Sequence, residues 1–267
     1  MLNAGTAEAK VSGALPPWEL PVLPETRASV RREDSVTAPG ARGLLPVFLS
    51  LAGVAAGFCL EGVPAFDQAA QSLFYSENGW LLSHEFHNAY KLFLYTGPKI
   101  GIGLAAAGAL AVWVCAVCHS RLRERLRVWR NPVLILLLSI MMIPLAAASL
   151  KAVTGVYGPV DLLPYGGAHP HVGLLPGLMF EERLAGGRSF PAGHASGGFA
   201  LMALYYLPLS GKKRLVSLGF GLACGWLMGL YQMARGEHFL SHTLTSMFIA
   251  LVVMTLLSRR FPPARSR

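Results

Sequence analysis

The sequence predicts an all-α polytopic membrane protein with six transmembrane helices and an outward-facing active site. Three observations carry that prediction. Apolar runs of about 20 residues recur along the chain, and at 1.5 Å per residue such a run spans the hydrocarbon core of a bilayer. Only 14% of the 267 residues are charged while 53% are hydrophobic, against roughly a quarter charged in a soluble domain. The basic residues flank the apolar runs as topology signals do, so the net charge of +9 reads as membrane orientation and contact with anionic lipid, and not as nucleic-acid binding.

Residues 1–43 are rich in Pro, Ala, Gly, Glu and Arg without an apolar period. They lack the charged-then-apolar pattern of a cleaved signal and read as a disordered cytoplasmic tail. Residues 44–267 form the membrane domain. The first expected span is Leu44–Val63. In the mixed stretch Pro64–Tyr90, aromatics interleave with acids and histidines, as in interfacial helix and loop. His84 and His87 lie three apart there and have no third partner for a metal. Lys91–Cys118 holds the second span, with Pro98 near its start, and Pro132–Leu150 is the third. The fourth, fifth and sixth are His194–Leu209, Leu215–Tyr231 and Phe239–Leu257. All four cysteines fall in apolar segments, and the Cys115/Cys118 pair reads as small buried residues.

Six spans put both termini on one side, with the loops after spans two and four. Those segments hold 17 of the 23 Lys and Arg residues, so the positive-inside rule makes them cytoplasmic. The long loop from Lys151 to Gly193 and two histidine clusters then face outward, which in a Gram-negative inner membrane is the periplasm.

The histidine clusters carry the chemistry. In Arg188-Ser189-Phe190-Pro191-Ala192-Gly193-His194, Pro191 suits the first turn of a helix and Gly193 allows close approach of the backbone. The free N–H groups of that helix, with Arg188, make an anion site, and His194 is placed to protonate what they hold. A second cluster, Arg235-Gly236-Glu237-His238-Phe239-Leu240-Ser241-His242, opens the last span. Lys151 ends span three, where its ammonium neutralises a phosphate or simply snorkels to the interface. His169 and His171 read as part of a polar loop, with substrate contact as the alternative.

Together, Lys151 with Gly158-Pro159, Pro191-Ala192-Gly193-His194, and Arg235 with His238 resemble the three motifs of the type 2 phosphatidic acid phosphatase superfamily. Those motifs are Lys, six residues, Arg-Pro; then Pro-Ser-Gly-His; then Ser-Arg, five residues, His, three residues, Asp. The resemblance implies six spans and a metal-independent phosphatase that needs no cofactor. It makes His238 the nucleophile, forming a phospho-histidine, and His194 the general acid. Lys151, Arg188, Gly193 and Arg235 bind phosphate, and His242 orients the nucleophile. The implied substrate is a lipid phosphate or diphosphate of the lipid A, undecaprenyl diphosphate or phosphatidylglycerol phosphate class. A lipid phosphotransferase using the same intermediate and a non-catalytic lipid-binding protein of the same fold are the alternatives.

The chain departs from the motifs at four places. Gly158 replaces the Arg of the first, with Arg188 as the candidate substitute. Ala192 replaces the Ser of the second, with Ser189 or Ser196 to supply a hydroxyl. In the third, Gln232 stands at the Arg position with Arg235 three residues on, and His242 stands at the Asp position. Asp161 and Glu237 are further candidates to orient a histidine.

Overall fold

A computed structural model describes residues 44–82, 90–174 and 186–263. The expected tail, and with it His84 and His87, lies outside the described residues. Apolar helices dominate: α1 (Leu45–Glu61), α2 (Pro64–Gln71), α3 (Gly97–Cys118), α4 (Arg127–Thr154), α5 (Gly193–Ala200), α6 (Gly211–Ala234) and α7 (Leu240–Arg260). A π-helical segment, Lys91–Thr96, leads into α3, and a two-stranded hairpin pairs Tyr75–Ser76 with Gly79–Trp80. Among the described residues, four helices are long and apolar enough to cross a membrane: Lys91–Cys118, the helix from Arg127, α6 and α7. A fifth is added if α1 and α2 are counted as one span. Large side chains such as Phe93, Leu104, Leu145 and Val216 stay exposed, which points to a bilayer as their solvent.

Two expected spans take a different form. The first apolar run stops at Glu61, and Pro64 starts α2 at 84° to α1. Proline cannot donate to the helix before it but fits the first turn of a new one, so the chain turns there. The fourth run, expected at His194–Leu209, is α5 followed by a 3-10 segment, Leu201–Tyr206. At 1.5 Å and 2.0 Å per residue it is roughly 24 Å long, less than the ~30 Å core of a bilayer. Pro208 sets its end, since the residue before a proline is driven to extended backbone; Leu207 has ψ 152°. Pro191 lies outside the helix rather than in its first turn: Ala192 is the N-cap and Gly193 the first helical residue.

Helices immersed in lipid gain little by hiding apolar surface from one another, so close backbone approach must hold them together. Glycine provides it here. Gly53 and Gly57 of α1 face Phe248 and Thr245 of α7 so tightly that a Cβ would sit 2.2 Å from each. Gly198 of α5 meets the backbone of Gly225 of α6 in the same way, at 2.7 Å. Ile135, Ile143, Phe199 and Ala203 fill the centre of the bundle.

The helix directions sort the polar residues by end. One end collects the starts of α1, α4 and α6 and the finish of α7, tied by Asn131 Nδ2–H donating to the Pro262 carbonyl at 2.9 Å. Arg127, Arg130, Lys212, Lys213, Arg214, Arg259 and Arg260 belong to these helix ends. The other end collects the finish of α4 and α6 and the starts of α5 and α7, and with them Lys151, His194, His238 and His242.

At that second end α7 is capped from far away in sequence. Asp67 of α2 accepts the Ser241 N–H at 2.9 Å and the Ser241 hydroxyl, meeting donors that a helix start leaves unpaired. Gln71 adds a bond from Nε2 to the Met233 carbonyl at 2.9 Å. Both side chains are buried. Replacing Asp67 with Ala strands two buried donors, at about 1–3 kcal/mol each. Asp67→Ala should therefore lower the thermal midpoint of the purified protein clearly, and Asp67→Asn, which keeps an acceptor oxygen, should lower it less; equal midpoints for Asp67→Ala and the parent chain would refute the cap.

Candidate active site

One cavity of about 530 Å³ opens at the histidine end, lined among others by Lys91, Tyr95, Lys151, Arg188, His194, Arg235 and His238. Five of the residues expected from sequence thus meet in one place, from three stretches of chain separated by roughly 40 residues each. The local folding explains how each arrives. Gly155 adopts a left-handed conformation, φ 63°, just after α4, and ends the helix with Lys151 in its last turn. Thr154 Oγ1–H donates to the Phe190 carbonyl at 2.7 Å, drawing the Arg188–Pro191 segment to that turn. Ala192 N–H donates to the His242 carbonyl at 3.1 Å, and Ser246 Oγ–H returns to the Ala192 carbonyl at 2.9 Å. Those two bonds lock the start of α5 against the start of α7.

Gly193 is the first residue of α5, and a Cβ there would lie 3.3 Å from Lys151 Nζ. The lysine ammonium and the unpaired N–H groups of the helix start therefore face the same volume. His194 sits under Tyr95, ring centroids 4.1 Å apart, and its Nε2 has no hydrogen-bond partner among the described residues. A buried polar nitrogen without a partner, on the wall of a cavity, is where a ligand contact is missing.

His238 follows α6 in the short connection to α7 and is 4% exposed. Burial pushes its pKa well below the usual histidine value, and the charge of Lys151 and the neighbouring His242 and His194 add to the effect. The imidazole is thus neutral at neutral pH, with a lone pair available. His242 lies behind it, fully buried, with ring centroids 5.9 Å apart. The two rings share a neighbour instead of bonding each other: Ser189 Oγ is 2.9 Å from His238 Nδ1 and 3.1 Å from His242 Nδ1, and its hydroxyl also reaches the Glu237 carbonyl.

The other candidates separate clearly. Ser196 Oγ–H bonds back to the Gly193 carbonyl within its own helix, leaving Ser189 as the hydroxyl that lines the cavity. Asp161 accepts the Gly158 N–H at 3.2 Å and Glu237 pairs with Arg235 at 3.1 Å, so these carboxylates are engaged away from the imidazoles. Arg235 also donates to Gln232 Oε1 at 3.1 Å, which joins the two third-motif positions on the cavity wall. His169 stacks on Tyr157 at 4.0 Å and His171 packs near Phe239 at 5.7 Å, both away from the cavity lining.

Sequence reasoning missed Lys91 and Tyr95, which it absorbed into a membrane span. The signal was present: Lys91, Tyr95 and Lys99 recur every four residues at the start of an apolar helix, and Lys99 Nζ stands 3.9 Å over the Tyr95 ring. Local widening to a π-helix at Lys91–Thr96 is itself a common feature of functional sites.

An apolar helical bundle with a cationic, two-histidine cavity at one end defines a membrane protein suited to a phosphate-like anion. The chain belongs to the PAP2 superfamily, whose description matches residues 132–266; that membership supports a phosphatase-type function. Comparisons with curated proteins and with solved structures gave no significant match.

Gly158 explains one departure from the family pattern. A Cβ at that position would sit 2.7 Å from the Glu237 carbonyl oxygen and 3.3 Å from that of Gly236, so no side chain fits without moving the backbone beside His238. Restoring the motif residue with Gly158→Arg should thus reduce activity and thermal stability instead of raising them. A variant more active than the parent chain would show that the loop yields easily and that the glycine is a simple loss.

Proposed function

We propose that this protein is a metal-independent membrane phosphatase that removes a phosphate from a lipid phosphate or diphosphate through a phospho-histidine. The observation that carries the reading is the single cavity shared by His238, His194 and three cations, Lys151, Arg188 and Arg235. The neutral His238 attacks phosphorus through Nε2, and the bond from phosphorus to the lipid oxygen breaks. His194, which takes up a proton when the phosphate anion lies beside it, gives that oxygen its proton. Water then attacks the phosphorus–nitrogen bond, losing its proton to His194 and releasing inorganic phosphate and free His238. Lys151, Arg188, Arg235 and the N–H groups at Gly193 hold the phosphoryl oxygens through both steps. Candidate substrates are those of the lipid A, undecaprenyl diphosphate and phosphatidylglycerol phosphate class.

Purified protein should release phosphate from a panel of such lipids with EDTA present throughout, and vanadate, which adopts the five-coordinate geometry of phosphorus in transfer, should inhibit. His238→Ala and His194→Ala should each lower the rate by ~1,000-fold or more. Activity that disappears with EDTA and returns with Zn²⁺, or that survives His238→Ala, would overturn the proposal.

The same reading has six spans, residues 44–267 as the membrane domain and residues 1–43 as a cytoplasmic tail. The bent α1–α2 pair and the short α5 segment count as two of those spans. It sets the protein in a bacterial inner membrane with the cavity toward the periplasm. Support comes from Arg127, Arg130, Lys212, Lys213, Arg214, Arg259 and Arg260, which among the described residues belong to the end away from the histidines. A topology reporter fused at Arg125 should behave as cytoplasmic and one within residues 166–187 as external; the reverse pattern would exclude periplasmic substrates.

A further inference from the structure

We infer that Ser189 is a positioning residue that holds His238 and His242 together as Nδ1–H tautomers, replacing the carboxylate that the family motif sets at position 242. The inference rests on the reading of His238 as nucleophile and follows from counting donors and acceptors around one oxygen.

Ser189 Oγ has one proton and two lone pairs. Three groups surround it: the Glu237 carbonyl, His238 Nδ1 at 2.9 Å and His242 Nδ1 at 3.1 Å. A carbonyl only accepts, so the hydroxyl proton goes to Glu237. Both lone pairs then face ring nitrogens, and a hydrogen bond forms only if each Nδ1 carries a proton. No other arrangement satisfies all three contacts. Each neutral imidazole has a single proton, so its Nε2 is left as a lone pair.

For His238 this is the form the reaction requires. Nδ1 is bonded inward to Ser189, and Nε2 is the nitrogen left for the cavity. Attack on phosphorus turns the ring into a phospho-imidazolium that keeps the Nδ1 proton and bears a positive charge. The Nδ1–H···Oγ bond then strengthens, and the chain onward to the Glu237 carbonyl is polarised with it. His242 acts through Ser189: its own Nδ1–H fills the second lone pair, so the hydroxyl cannot turn away from His238. The arrangement leaves His242 Nε2 a buried acceptor without a partner among the described residues. That unmet acceptor is the feature of the cluster that a purely structural histidine would be expected to avoid.

The resting tautomers can be read directly in the parent protein, with variants used only to assign the signals. In protein labelled with ¹⁵N-histidine in lipid bilayers, the signals of His238 and His242 are assigned by their loss in His238→Gln and His242→Gln. Both should show a protonated Nδ1 and a bare Nε2. Either ring protonated at Nε2 would overturn the inference.

Kinetics supplies the second arm. Ser189→Ala should lower kcat by about 10- to 100-fold, the usual cost of losing a residue that orients a reacting ligand, with KM nearly unchanged. Ser189→Thr, which keeps the hydroxyl, should recover most of the loss. If Ser189→Ala is folded and fully active while His238→Ala is inactive, the inference fails and the phosphatase reading stands. If His238→Ala is itself active, the phosphatase reading fails first.

Discussion

The bond from the Ala192 N–H to the His242 carbonyl is the contact on which the site depends. It joins the start of α5 to the first turn of α7, two segments that meet only because their helices enter the bundle at the same end. With Ser246 returning a bond to Ala192, it fixes the distance between the strand of chain that carries Arg188, Ser189 and His194 and the turn that carries His238. Such bonds are strong where water cannot compete for them. The apolar bundle, held by glycine contacts between α1 and α7 and between α5 and α6, supplies that dry setting.

Under the proposed reading, the site gathers positive charge that the bound anion balances. Among the lining residues Lys91, Lys151, Arg188 and Arg235 outnumber Asp161 and Glu237. Glu237 is already paired with Arg235, and Asp161 accepts a backbone N–H. The remaining cations share one concave volume, where low-dielectric walls concentrate their field. Burial, with positive neighbours adding to it, keeps His238 neutral, which is the state a nucleophile needs. On the same proposed reading, the charges that bind the anion also help to keep the attacking imidazole neutral.

Much of this was legible in the sequence, because apolar length and motif spacing are local properties. Lys151, Arg188, His194, Arg235 and His238 were named from local sequence and from the family motifs they resemble, and they meet in one cavity. What escaped was set by contacts across the chain. Asp67 lay in a stretch that reads as interfacial, and its partner Ser241 is 174 residues away. Lys91 and Tyr95 sit in an apolar run whose start widens into a π-helix, and their four-residue recurrence with Lys99 marks a polar face without saying what it faces. The fourth apolar run, His194–Leu209, reaches only about 24 Å even as a continuous helix, and Pro208 ends its helical part at Tyr206.

The departures from the family motifs are better understood as one repacked set than as separate losses. Gly158 lets the Glu237 and Gly236 carbonyls approach closely, and Val160 N–H bonds the Gly236 carbonyl at 2.8 Å. That contact presses the first-motif loop onto the turn before His238. The turn in turn presents the Glu237 carbonyl to the Ser189 hydroxyl. Gln232, at the motif arginine position, accepts from Arg235 one helical turn later, so a guanidinium still reaches the cavity wall. Ala192 is fully buried and contributes its backbone to the α5–α7 bonds, while the nearby hydroxyl comes from Ser189. The residues that border these replacements lie within the 158–161, 188–192 and 232–242 segments. Here the loop, the turn and the serine are joined through the same two residues, Gly236 and Glu237, immediately before the imidazole that faces the cavity.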